Sequence, residues 1–322
     1  MISLNLNETI ANSHFLAIKD FLIKRINNVL KNGIRKGDIL IKADVNLKLY
    51  LKSLIVEDNL KILITAPPET LQGIISSLKR LYPDFFKSNS DSNLILYNIF
   101  VSSCYDDNKK FSKYGFIASI NIDTCPYCNR NYIYYLAKGK EIKPQIDHFY
   151  PKTKYPILAM SFYNLIPSCQ TCNGFDAKAE KDPIKYGLKN PYLFKNEDFK
   201  FTFKPISGKI LSTLLDKNSV KVEFQKQIPG HLDIFKLKEL YELHSDHVVE
   251  LVVKSKIKYS ETYRNYLSKY RDKGLSFSEN EIDRMILGNY TDIEEIHKRP
   301  FSKLYQDIGL ELGLIKRTNL ET

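Results

Sequence analysis

Two cysteine pairs frame the residues of this chain best suited to chemistry. Cys125-Pro126-Tyr127-Cys128 opens the segment and Cys169-Gln170-Thr171-Cys172 closes it. Two thiolates separated by two residues in a tight turn face one ion, and two such pairs complete the tetrahedral set that zinc prefers. Zinc in that setting is structural, so the pairs alone describe a scaffold. Between them stand Asp147-His148 and Asn164, and Asn173 follows the last cysteine directly. A carboxylate, an imidazole and two carboxamides are what phosphodiester hydrolysis needs. The imidazole deprotonates water near neutral pH. Carboxylate and carboxamide oxygens hold a hard divalent cation that neutralises the scissile phosphate and the departing 3′ oxygen. Adjacent strand residues point to opposite faces, so Asp147 and His148 share one site only if the strand ends or bulges there.

The pattern CPYC…DH…NLIPSCQTCN resembles the HNH endonucleases, the zinc-knuckle branch of the ββα-metal nucleases. The resemblance covers about residues 121–185, roughly a fifth of the chain. It implies His148 as general base, Asp147 as a ligand of a catalytic Mg²⁺ or Mn²⁺, and Asn164 as a brace for the loop that holds the base. It implies Asn173 as a second ligand of that ion, and Cys125, Cys128, Cys169 and Cys172 as ligands of a structural Zn²⁺. Two features depart from the pattern. The position filled by Asn173 is a weaker ligand than His, with Asp176 one turn on as a substitute or supplement. Forty residues separate Cys128 from Cys169, which requires an insertion around residues 132–143. The stretches Asp147–Lys152 and Ser161–Cys169 also resemble HNH proteins of bacterial anti-phage systems such as the Septu type, some of which act beside an ATPase partner.

The substrate this implies is DNA, with an RNase toxin using the same site as an alternative, because such a site recognises phosphate rather than sugar. A zinc-stabilised nucleic-acid-binding adaptor without catalysis is the other alternative, and Asp147, His148 and Asn173 are what binding alone does not require. Arg130, Lys152, Lys154, Lys178 and Lys181 are the candidate phosphate contacts, although exposed lysines commonly only face solvent. His244 and His247 form an HxxH pair without an obvious third ligand and read as packing or surface residues. There is no GxxxxGK[ST] phosphate loop, so ATP use would fall to a partner.

The elements that must position these groups define an α+β chain with three regions. Residues 1–115 are mainly helical. One helix is capped by Ser13, has the apolar face Phe15, Ile18, Leu22, Ile26 and Val29, and ends near Gly33. A second starts after Pro67-Pro68 and carries Leu71, Ile74, Ile75, Leu78 and Leu81. Residues 93–100 fit a strand or a buried helix equally. Residues 116–195 hold the ββα-metal module: a short strand over 143–148, a second strand or irregular turn over 161–166, and a short helix from Cys172 to about Lys181. Residues 196–322 open with alternating strands at 199–203 and 220–224. A long amphipathic helix over 237–270 follows, ended by Gly274. A further helix is announced by the Ser278/Glu281 capping box, and Thr291/Glu294 repeats that signal.

Composition sets the outer bounds. At 322 residues and 43% hydrophobic content the chain can bury a core for about two domains of ~150 residues. A net charge of +11 favours a polyanionic partner. Residues 101–195 hold 14 basic against 8 acidic residues, more than their share of that excess. The fifth cysteine, Cys104, reads as a small buried hydrophobe. Neither a signal-peptide pattern nor an apolar run of ~20 residues is present, which points to the cytoplasm. An oligomer is compatible with all of this.

Overall fold

The computed structural model describes residues 1–136, 143–206, 216–256, 259–272 and 274–315. The expected insertion around 132–143 therefore lies partly outside the described residues. The chain is α+β and forms two compact units, each discontinuous in sequence.

The first unit comprises Leu4–Asn121 and Tyr135–Tyr186. Its frame is α1 (Glu8–Asn32), whose buried face is Ala11, Phe15, Ile18, Leu22, Ile26 and Val29. The cap is Asn7, whose side chain accepts from the Ile10 amide at 3.0 Å. Ser13 lies inside the helix and bonds back to the Thr9 carbonyl. The apolar face begins at Ala11, one turn before the expected start, so the helix has to begin earlier than Ser13. Gly33 closes α1 at φ 69°, where a β-carbon would meet the Ile41 carbonyl oxygen at 2.4 Å, so only glycine fits. The hairpin β1 (Ile34–Lys36) and β2 (Ile39–Ile41) follows. Then come α2 (Val45–Ile55), α3 (Glu57–Thr65) and α4 (Pro68–Leu81). Leu47, Leu51, Leu60, Ile64, Leu71 and Ile75 from these helices are all buried, whereas Leu81 is exposed.

The ambiguous stretch at 93–100 is helical. Ser90 caps α5 (Asp91–Tyr97), which continues as a π-helix over Asn98–Tyr105. Its buried residues fall on nearly every side, and that is why periodicity could not separate helix from strand. Cys104 lies in this π-helix, fully buried, with its thiol pushed up to about 12 by burial. After α6 (Lys113–Ile120) come β3 (Gln145–His148) and β4 (Leu165–Ser168), antiparallel, with Asp147 opposite Ile166 and His148 opposite Leu165. The second strand is preceded by a 3₁₀ turn over Phe162–Asn164, so both readings of that stretch hold in succession. The helix expected from Cys172 to Lys181 is confined to one turn, α7 (Gln170–Asn173). Turns occupy residues 174–180, because the Lys178 amide returns to the Cys172 carbonyl and draws the chain back on itself. A short α8 (Pro183–Tyr186) ends the unit.

The second unit comprises Met1–Ser3, Ile122–Tyr134 and Gly187–Thr322. β5 (Lys200–Pro205) pairs antiparallel with β6 (Val220–Lys226), with Phe201 opposite Phe224 and Phe203 opposite Val222. The long helix expected over 237–270 is interrupted at residues 243–244, and its residues 257–258 lie outside the described residues. It follows α9 (Pro229–Phe235) as α10 (Leu237–Glu242), α11 (Ser245–Lys256) and α12 (Tyr259–Lys269). Ser245 donates its hydroxyl to the Glu242 carbonyl at 2.8 Å, a local bond that competes with the helix ladder where α10 stops. The Ser278/Glu281 capping box opens α13 (Glu279–Leu287), and Gly288 ends it. Thr291/Glu294 starts no long helix. Asp292 takes the Glu294 amide, only a 3₁₀ turn forms over Ile296–Lys298, and the last helix is α14 (Ser302–Glu311). Lys303 and Asp307, buried one turn apart on α14, pair at 2.8 Å, and Asp307 also takes the Phe201 amide of β5.

Candidate active site

His148 is the last residue of β3, and at that strand end both it and Asp147 line one cleft of about 440 Å³. The condition for adjacent residues to share a site is thus met. The cleft is also lined by Asn173, Gln145, Gln170, Tyr105, Lys152, Phe175 and Glu180. All of these belong to the first unit.

The His148 ring is buried and placed by one hydrogen bond. Its Nε2 lies 3.1 Å from the Ala159 carbonyl oxygen. A carbonyl only accepts, so Nε2 carries the hydrogen and Nδ1 is the basic nitrogen. Tyr105 packs edge-to-face on the imidazole at 4.4 Å. Burial, followed by the positive charge of Lys152, lowers the imidazole pKa to about 3. The ring is therefore neutral, the form that can take a proton.

Asn164 ties together the loop between His148 and Ala159. The side chain is fully buried. Its Oδ1 accepts from the Tyr150 amide at 2.7 Å, and its Nδ2 donates to the carbonyls of Tyr150 at 3.2 Å and Leu158 at 2.9 Å. Its own carbonyl accepts from the Phe149 amide at 2.9 Å. One side chain thus fixes the loop that runs from His148 to Ala159, the hydrogen-bond acceptor of the His148 ring.

Asp147 is buried, and the Lys178 ammonium lies 3.6 Å from its Oδ1. Lys178 is itself fully buried and donates to the His148 carbonyl at 3.2 Å. It is therefore a strut beneath the Asp147-His148 dipeptide, away from the surface expected to meet phosphate. Asn173 ends α7 rather than starting a helix, and Asp176 lies on an exposed turn apart from the cleft lining. The carboxylate of Asp147 and the carboxamide of Asn173 are hard oxygen donors opening on one cleft, a set that fits a small divalent cation.

Of the basic residues proposed for phosphate contact, Lys152 alone lines the cleft. It pairs with Asp106 at 3.1 Å and lies 4.7 Å from the Tyr105 ring centre. Lys154 pairs with Asp182, and Lys181 bonds the Ala177 carbonyl. Arg130 donates to Nε2 of His244 at 3.0 Å in the second unit. There His244 and His247 are joined by Asp246 in a group that could hold a metal, so a third group does exist. The Arg130 cation against His244 opposes a divalent ion at that place.

The cysteines form two buried turns. Cys125 and Cys128 straddle a turn closed by the Asn129 amide on the Cys125 carbonyl at 2.8 Å, and the Arg130 amide points at the Cys128 sulfur at 3.4 Å. Cys169 and Cys172 straddle the start of α7. All four thiols are buried, and thiolates are the donors that structural zinc prefers.

Sequence reasoning missed several residues. Asn129, buried in the left-handed region at φ 48°, bonds Thr124, Ile296, Arg299 and the Lys303 amide, and so anchors the first cysteine turn to the second unit. Its place directly after Cys128, where a left-handed residue closes the turn, was the available signal. Glu180 and Gln145 in the cleft carried no such signal, because only the turns of 174–180 and the end of β3 bring them there.

Over 121 residues the chain is 26% identical to the Septu protein PtuB of Bacillus thuringiensis, a match covering 35% of this chain and 46% of that protein. The match thus spans less than half the length of that relative. No protein-family model and no solved structure matches the chain. Among the described residues, no helix is long and apolar enough to cross a membrane.

Proposed function

We propose that this chain is an HNH-type endonuclease that hydrolyses DNA phosphodiester bonds in bacterial defence against phage. The observation that carries the reading is the His148 imidazole, neutral and fixed through Nε2 on the Ala159 carbonyl, beside Asp147 and Asn173 in one cleft. Nδ1 of His148 takes the proton of the attacking water. Asn164 and Tyr105 hold the ring so that this proton moves along a fixed direction. Asp147 and Asn173 would hold a divalent ion, which would supply the positive charge that the phosphate and the departing 3′ oxygen need. Loss of the 3′ oxygen leaves a 5′ phosphate on the product. The four cysteines hold a structural zinc, and Lys152 meets the backbone beside the cleft. Similarity to a Septu protein supports the defence role, and an ATPase is the partner class that role implies.

The test is a nicking assay on supercoiled plasmid with Mg²⁺, Mn²⁺ or EDTA, alongside a single-stranded RNA of matched length. Metal-dependent cutting of plasmid with 5′-phosphate ends is the expected result. Cutting of RNA alone supports a toxin RNase. A gel shift without cutting, with every metal tested, leaves the adaptor reading in its place.

A further inference from the structure

Phe175 stands at the rim of the cleft with 96% of its surface exposed, although it is one of the largest apolar side chains in the chain. It follows Asn173 by two residues, in the turn that replaces the expected helix. An isolated apolar residue on a surface needs no explanation by itself. This one lines the same cleft as Asp147, His148 and Asn173, and its sequence neighbours Gln170, Thr171 and Asp176 are exposed and polar. A protein partner is captured by a contiguous apolar patch with a polar rim. An exposed ring beside a cleft lined by Asp147, His148, Asn173 and Lys152 is an arrangement that can stack on a nucleobase.

We propose that Phe175 is a positioning residue that stacks on a base of the nucleic-acid substrate next to the phosphate held in the cleft, an inference that rests on the nucleic-acid reading of that cleft. Reach supports it. Two residues span at most about 7 Å, so the Phe175 Cα stands within about 7 Å of the Asn173 Cα and the ring extends from there. Phosphates along one strand of a duplex advance by about 3.4 Å. The ring is therefore within reach of a base no more than about three nucleotides from a phosphate at Asn173. Stacking there fixes the strand without reading its sequence, because every base offers a π-face.

The experiment uses the full chain in a His148→Ala background with Ca²⁺, so that binding is read without cleavage. The probe is a DNA oligonucleotide carrying 2-aminopurine. Phe175→Ala should weaken binding about tenfold and abolish the change in 2-aminopurine emission that the unsubstituted ring produces. Phe175→Trp should restore both, which a role in folding or apolar docking would not require. Equal affinity and equal emission for Phe175→Ala overturn the inference, as does recovery by Leu equal to that by Trp. If plasmid is cut but Phe175→Ala changes neither readout, the stacking role alone falls. If the parent binds no oligonucleotide and cuts no plasmid, the nuclease reading falls with it.

Discussion

Replacing Asn164 tests how the structure holds the proposed base. In Asn164→Ala three side-chain hydrogen bonds disappear, to the Tyr150 amide and to the Tyr150 and Leu158 carbonyls, all in the interior. At about 1 kcal/mol net for each bond, the loss is about 3 kcal/mol. With a urea slope of about 3 kcal/mol per molar, the midpoint falls by about 1 M. The catalytic effect is larger than stability alone predicts, because the freed loop joins His148 to Ala159, the residue that orients its ring. A misplacement on the order of 1 Å costs about 100-fold in kcat. Asn164→Asp separates bonding from packing. Its carboxylate still accepts from the Tyr150 amide but turns an acceptor toward two carbonyls, so the charged form is disfavoured and its folded-state pKa is raised. The variant should therefore be weakest at neutral pH and recover as pH falls through that raised pKa, where the protonated acid donates. Urea melts at several pH values and single-turnover cleavage are the assays. An Asn164→Ala protein with an unchanged midpoint and unchanged kcat refutes the bracing argument.

Two further substitutions probe the scaffold. Lys178→Met removes the buried cation that lies 3.6 Å from Asp147 Oδ1, so it should destabilise by about 3 kcal/mol in urea; an unchanged midpoint would show that the pair does not support the dipeptide. Cys125→Ser or Cys172→Ser should reduce zinc from about one per chain to none and loosen the fold, measured by mass spectrometry and circular dichroism, whereas Cys104→Ser should keep its zinc. Retention of zinc by Cys125→Ser, or its loss from Cys104→Ser, contradicts the ligand assignment.

The site was legible wherever chemistry depends on spacing. Two thiols three positions apart have to share a turn, and Cys125/Cys128 and Cys169/Cys172 do. Asp147 and His148 were adjacent in sequence, and only a strand end could let them share a cleft. Burial of a charged residue is not written locally. Lys178 reads as a surface lysine because Asp176, Ala177, Ala179, Glu180 and Lys181 around it are small or charged, whereas the return of its amide to Cys172 draws it inward. Helix breaks were hidden for a related reason. Apolar spacing over 237–270 continues through Leu243, but Ser245 turns its hydroxyl back on Glu242 and that side chain is left exposed. The place of Asn129 after Cys128 marked a turn, but its partners at 296–303 are about 170 positions away and could not be read locally.

The most direct test of the central claim is the rate of plasmid cleavage by His148→Ala, with and without added imidazole, at matched zinc content. The account predicts a loss of about 10²–10⁴-fold, partial recovery with imidazole, and the same zinc stoichiometry as the parent protein. Cleavage within twofold of the parent, abolished by EDTA in both, would show that His148 is not the base.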